Sequence, residues 1–157
     1  IIGGNVGIGT NPADAKLHVY GGSSNSEIRT EGLHAVLATP IIDGGYIYGI
    51  CSYGQLRCLE IASGKRVWEN LEAIPQQRWS TLRFIPNGDR VWLFTELGDL
   101  IISRLSPGGY EEISRANLIS PTDSAQGRRI VWSHPAFANR SIYLRNDQEI
   151  RCHSLSK

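Results

Sequence analysis

The chain has 157 residues, 41% apolar and 20% charged, enough for one domain with a modest core and ordinary for a globular protein. Its net charge of +1 gives no bulk field toward nucleic acid or anionic lipid; Arg128-Arg129 is the longest basic run and reads as a solvated loop. No apolar run approaches the ~18 residues of a membrane helix, so neither nucleic acid nor a membrane span is expected.

Taken in order, residues 1–32 are rich in Gly, Ser and Asn, with two short predicted strands, Lys16–Tyr20 and Glu27–Thr30, joined by a flexible Gly21–Ser26 link. The start, Ile1-Ile2-Gly3-Gly4-Asn5, has neither a methionine nor a signal-peptide pattern, so a fragment or processed product is expected. From Leu33 onward, short apolar runs alternate with turns. The first group is Ala38–Ile42, Tyr46–Ser52, Gln55–Ile61 and Lys65–Glu69, separated by turns at Asp43-Gly44-Gly45, Tyr53-Gly54 and Ser63-Gly64. Residues 70–79 hold a helical turn at most, because Pro75 limits it. The second group is Thr81–Ile85, Arg90–Thr95, Leu100–Leu105 and Tyr110–Ser114. The third is Ser133–Ala138, Ser141–Arg145 and Glu149–Leu155, with a turn at Asn139-Arg140 and no fourth strand.

Equivalent second strands, Tyr46-Ile-Tyr-Gly, Arg90-Val-Trp-Leu and Ser141-Ile-Tyr-Leu, begin 44 and then 51 residues apart. That period with four strands per unit predicts an all-β chain. It is a partial β-propeller of about three four-stranded antiparallel blades, the last incomplete, with a short β-rich amino-terminal extension. The expected division is an extension over 1–32 and blades over 33–157, at about 38–70, 79–118 and 130–157. Lys16–Tyr20 is a candidate for the empty place beside Glu149–Leu155. An open arc of blades leaves faces and edges uncovered, so the chain alone is expected to aggregate, to be partly disordered or to be partnered.

The run Cys58-Leu-Glu-Ile-Ala-Ser-Gly-Lys-Arg-Val-Trp68 resembles the repeat of the pyrroloquinoline-quinone (PQQ)-like propellers, Ala-x-Asp-x-x-Thr-Gly-x-x-x-Trp. Cys58 stands at the Ala position, Glu60 at the Asp, Ser63 at the Thr, Gly64 at the Gly and Trp68 at the Trp. The preceding Ala38–Gly49 matches the first two strands. The second group keeps the glycine as Gly109 but has Ile113 where the Trp would stand. The resemblance covers roughly 35–157. It implies that Glu60, Ser63, Gly64, Trp68 and Gly109 are structural residues that dock blades, and that the protein is periplasmic or secreted. A second resemblance, Asn5-Val-Gly-Ile-Gly-Thr with Pro12 and Lys16-Leu-His-Val19, is to a motif of phage tail fibres and bacterial surface proteins; it implies a trimeric β-rich shaft.

A PQQ-dependent dehydrogenase would need a pocket for the quinone, a Ca²⁺ site of carboxylate and amide oxygens, and a catalytic carboxylate. No cysteine here adjoins another, and Asp89, Asp99 and Asp147 lie in or after Gly/Asn turns, where turn formation explains them. Cys51 and Cys58 are expected on one face of a hairpin turning at Tyr53-Gly54, diagonally placed at ~7–8 Å and therefore not bridged. His18, His34, His134 and His153 have no metal-ligand spacing, and His134 before Pro135 reads as a cap or packing residue. Tyr48, Trp92 and Tyr143 read as repeat core; Trp79 and Trp132 as core or interface. No nucleophile elbow or phosphate loop occurs. Catalytic, cofactor and metal residues are therefore not assigned. The leading expectation is a non-catalytic propeller module, a binding scaffold whose partner is a protein, a ligand or its remaining blades. The alternatives are a fibre or attachment protein and a fragment of a PQQ-dependent dehydrogenase, the one case calling for PQQ and calcium.

Overall fold

A computed structural model describes residues 18–22, 25–30, 33–35, 37–125 and 127–156. The fibre-like run over 5–17, and with it the start of the Lys16–Tyr20 strand, lies outside the described residues. All regular elements described are β-strands, as the pattern of short apolar runs and turn residues requires. The first three, β1 (His18–Gly22), β2 (Asn25–Thr30) and β3 (Leu33–Ala35), form an antiparallel meander in the order β1-β2-β3. Here one expectation is overturned. β1 pairs with β2, His18 opposite Arg29 through Gly22 opposite Asn25, and not with the carboxyl-terminal strand. A short link next in sequence brings these two strands together at far less chain entropy than a partner over a hundred residues away.

Two four-stranded antiparallel sheets follow. One has the order β4-β5-β6-β7, from β4 (Ile41–Asp43), β5 (Tyr46–Ile50), β6 (Leu56–Glu60) and β7 (Arg66–Asn70). The other has the order β11-β10-β9-β8, from β8 (Leu82–Asn87), β9 (Arg90–Thr95), β10 (Asp99–Ser106) and β11 (Gly109–Asn117). A two-stranded ribbon, β12 (Ser124–Ala125) with β13 (Arg128–Arg129), lies in the next connection. The last sheet has three strands, β14 (Ala136–Ala138), β15 (Ser141–Arg145) and β16 (Ile150–Ser154), in that order. The architecture is all-β, with four-stranded antiparallel sheets that match propeller blades and a β-rich amino-terminal extension. By compactness the chain divides into two units, residues 1–81 with 105–110, and residues 82–104 with 111–157.

In the first unit the two faces of the β4–β7 sheet are filled by opposite parities of the same strands. Ile47, Cys51 and Leu59 pack with Leu33 of β3 on one face. Gly49 belongs there because a Cβ at that position would lie 2.8 Å from a Leu33 methyl. On the other face, register aligns Ile41, Tyr48, Cys58 and Trp68 in one row across all four strands. The two cysteines therefore lie on opposite faces, not on one as expected. The hairpin between β5 and β6 turns through residues 52–54: Cys51 N donates to Gln55 O at 2.8 Å and Gly54 N to Cys51 O at 2.9 Å. A three-residue loop moves the pairing by one position and so exchanges the faces. All three cysteines remain thiols.

No helical turn forms over 70–79. Instead Asn70 Oδ1 accepts from the amides of Glu72 and Ala73, both at 3.0 Å, and Ala73 and Ile74 are buried. In the second unit the core is Phe94, Leu100, Ile119, Val131, Ile142 and Leu144, with Ile85, Trp92 and Leu118 against it. Trp92 meets Phe137 of β14 at 5.5 Å between ring centroids. Tyr143, expected in the core, is instead exposed, while its neighbours Ile142 and Leu144 are buried. Strand alternation puts Tyr143 on the other face of β15, opposite Cys152.

Candidate functional site

The residues matching the repeat come together at one corner of the first sheet. Lys65 O accepts from Glu60 N at 2.9 Å, closing a four-residue loop, and Gly64 N returns to Glu60 O at 2.8 Å. Gly64 has φ +69, a conformation that favours glycine. Ser63 Oγ donates to Glu60 Oε2 at 2.5 Å and accepts from Lys65 N at 3.3 Å. An acid at position 60 and a hydroxyl at 63 thus fix the turn from both sides. Beyond it, Leu59 pairs with Arg66 while Cys58 pairs with Trp68, so Val67 is the extra residue of a β-bulge. The bulge sets Trp68 onto the row of Cys58 and Tyr48. Cys58 is small, and the tyrosine and tryptophan rings approach to 6.0 Å, tilted by 40°. Trp68 Nε1 donates to Ser106 O at 2.8 Å, in the β10–β11 hairpin tip that groups with the first unit.

Gly109 opens β11 at φ +145, where a side chain would be strained; Gly108 N donates to Ser106 Oγ at 3.1 Å beside it. Ile113, at the place of the missing tryptophan, is 39% exposed. Tyr48 is buried, directly opposite Cys58 in the ladder. Burial first, then the neighbouring Cys58, pushes the Tyr48 phenol up to about 12. Burial also pushes the Cys58 thiol up, with the Tyr48 hydrogen bond opposing. A raised thiol pKa means less thiolate, the opposite of what a nucleophile or metal ligand needs. Chemically, this corner packs.

A second cluster, not found by motif, lies in the second unit. β9 ends at Thr95, whose Oγ1 accepts from Leu97 N at 3.3 Å and Asp99 N at 3.1 Å. That cap fixes the turn carrying Glu96, and Glu96 O accepts from Val131 N at 2.6 Å. The Glu96 side chain is 3% exposed and its Oε1 takes an ion pair from Arg128 Nη1, itself 16% exposed. Arg128 is thus not the solvated loop residue expected; Arg129 beside it is exposed. Arg83 stands opposite Phe94 in the β8–β9 ladder, and Glu96 follows the last residue of β9. Burial lowers the Arg83 guanidinium's proton affinity and the Glu96 carboxylate opposes that. Burial, and then the Arg83 charge, lowers that of His134. Asn146 Nδ2 to Ser120 O at 3.0 Å and His153 Nε2 with Leu118 O at 2.9 Å tie the connection after β11 to the last sheet. The only local sequence signal for this niche was charge within apolar strands; its four members span residues 83 to 134 without a spacing rule.

Among the described residues no three His, Cys, Asp or Glu side chains are grouped as a metal would require, and no helix is long and apolar enough to cross a membrane. Asp99, one of the acids considered for catalysis, is tied to Asn117 Nδ2 at 2.8 Å and Arg115 Nη1 at 3.6 Å. The thiols of Cys51 and Cys58 lie on opposite faces of one sheet, so the first sheet offers no vicinal cysteine pair to a quinone.

No family model and no curated protein matches the chain. Among solved structures it is similar to BamB from Moraxella catarrhalis, with a TM-score of 0.48 and 16% identity over 82% of this chain and 36% of that one. The chain spans little more than a third of that protein's length.

Proposed function

We propose that this chain is a non-catalytic module of PQQ-like propeller blades, over residues 33–157, that serves as a binding scaffold in a bacterial extracytoplasmic protein. Its partner is a protein, a ligand or further blades, and residues 1–32 are an extension to it. Glu60, Ser63, Gly64, Trp68 and Gly109 act in blade construction and docking. One observation carries the reading: every repeat residue in the first sheet is engaged in a turn, a bulge or packing. Glu60 is held by Ser63, and Trp68 by Tyr48 and Ser106. None of these groups is left for a quinone or for a proton transfer. The cellular location belongs to the same reading and is supported by the sequence resemblance alone.

The test is alcohol-dependent reduction of a phenazine dye after incubation with PQQ and Ca²⁺. No turnover above a protein-free blank is expected. Saturable turnover dependent on both additions would overturn the reading.

A further inference from the structure

The last sheet repeats the first over three of its four strands. In the first, Ile41, Tyr48, Cys58 and Trp68 form one row. In the last, Ala136, Tyr143 and Cys152 form the same row across β14, β15 and β16. The sequence beside the row matches as well, Leu56-Arg57-Cys58 on β6 and Ile150-Arg151-Cys152 on β16. Tyr48 and Cys58 are buried, whereas Tyr143 is 36% exposed, Ile150 is 74% exposed and Cys152 is exposed. Among the described residues β16 is the edge strand of its sheet, and none stands in the row where Trp68 stands in the first.

The backbone of that edge is set to take a strand. Leu155 N donates to Arg140 O at 2.7 Å, and Glu149 O accepts from Asn146 N at 3.1 Å. Antiparallel strands alternate the direction of their peptide groups. Arg151 and His153 therefore turn theirs toward β15, and Ile150, Cys152 and Ser154 turn theirs outward. In the first sheet Glu60 N donates to Lys65 O at 2.9 Å, so Leu56, Cys58 and Glu60 face β7 in the same phase. An outward row of donors and acceptors is a template for strand addition.

The first sheet also shows which side chains suit such an edge. Trp68 lies opposite Cys58, and Glu69 lies opposite Arg57, whose Nε donates to Glu69 Oε2 at 2.6 Å. Arg151, at the place of Arg57, is 44% exposed and pairs with Glu149 of its own segment, an exposed pair that contributes little. A second copy has no such strand to give. The chain places an acid directly after an aromatic at Trp68-Glu69 and Tyr110-Glu111 alone, both held within their own sheets, and residues 1–17 contain no aromatic. We propose that the outer edge of β16 is a docking site for an antiparallel β-strand of a partner protein, one that carries an aromatic residue followed by an acid. The ring lies against Tyr143 and Cys152 and the carboxylate meets Arg151. This deepens the reading of the chain as a binding module and rests on it.

The experiment is titration of the full chain with a capped peptide copying residues 65–71, read by calorimetry and by residue-resolved amide exchange. The peptide binds saturably and slows exchange at Ile150, Cys152 and Ser154. Its Trp68→Ala counterpart binds about fivefold more weakly, and its Glu69→Gln counterpart about twofold. In the chain, Tyr143→Ala weakens the parent peptide about fivefold and leaves the Trp68→Ala peptide unchanged; should that variant fail to fold, the substituted peptides decide. No binding, protection that omits these three amides, equal affinity of either substituted peptide or an unchanged affinity in Tyr143→Ala overturns the site. Slow exchange at these amides before peptide is added overturns the partner as occupant: sedimentation as a dimer then assigns the edge to a second copy, and as a monomer to a segment of the chain itself. Absent peptide binding with no dye reduction removes this site and leaves the module reading standing; dye turnover removes that reading whatever the peptide does.

Discussion

Replacing Trp68 with phenylalanine separates the tryptophan's packing from its hydrogen bond. The indole N–H to Ser106 O, 2.8 Å long, is lost and leaves that carbonyl to water. A hydrogen bond of this kind contributes about 1 kcal/mol net. The ring shrinks at a half-buried position, and the lost apolar area adds about 1 kcal/mol more. The contact with Tyr48 at 6.0 Å largely survives in Trp68→Phe. The total is about 2 kcal/mol, and Trp68→Ala, which also forfeits an aromatic pair worth about 1 kcal/mol, reaches about 3 kcal/mol. Urea denaturation followed by fluorescence and circular dichroism measures both, with Trp132→Phe as the exposed control expected within about 0.5 kcal/mol of wild type. A Trp68→Phe change no larger than that control would refute the docking role.

Trp92 makes the opposite case: its Nε1 is buried with no hydrogen-bond partner among the described residues. Trp92→Phe relieves an unsatisfied donor while losing volume, so its midpoint should shift by less than about 1 kcal/mol, and a loss exceeding that of Trp68→Phe would contradict the burial. Gly98 has φ +85, and an added Cβ would lie 1.7 Å from the Ile119 carbonyl oxygen. Gly98→Ala should cost at least about 3 kcal/mol. Gly44→Ala, at φ +55 with nothing within 4 Å, should cost only about 1 kcal/mol in the same denaturation assay. Tyr48 is neutral in the folded chain up to about 12, whereas the unfolded phenol ionises near 10. Unfolding therefore releases a proton between these values, and stability falls as pH rises from 10 through 12, by up to about 3 kcal/mol. Tyr48→Phe should remove that share of the alkaline slope, leaving the share of Cys58; an unchanged slope would place Tyr48 at the surface.

Much of this was legible because turn chemistry is local. Asn139-Arg140 was expected as a tight turn, and both residues adopt positive φ, 50° and 55°, as a two-residue hairpin of this type demands. The bounds of Arg90–Thr95 and Ser141–Arg145 coincide with β9 and β15. The Glu60, Ser63, Gly64 and Trp68 pattern was readable because the turn contacts and the Cys58–Trp68 pairing lie within ten residues of one another, while Tyr48 and Ser106 reach Trp68 from farther along the chain. What escaped depends on counting or on distance. One extra loop residue at 52–54 put Cys51 and Cys58 on opposite faces, and nothing in Ser-Tyr-Gly announces a loop of three rather than two. Tyr143 shares its strand position with Tyr48, but only the solved arrangement shows which face is covered. The short β3, β12 and β13 are fixed by packing and single ladders. The niche needed four residues from separate segments, drawn together by Val131 N on Glu96 O and the Arg128 ion pair.

Tyr48, Cys58 and Trp68 lie side by side in one row across three strands, and the docking role of Trp68 depends on that row. Nuclear Overhauser contacts from the Trp68 indole test it most directly. Contacts to the Tyr48 ring and to Ser106, with a slowly exchanging indole proton, are expected. An indole that touches neither and exchanges as fast as that of Trp132 would contradict the register and the docking role built on it.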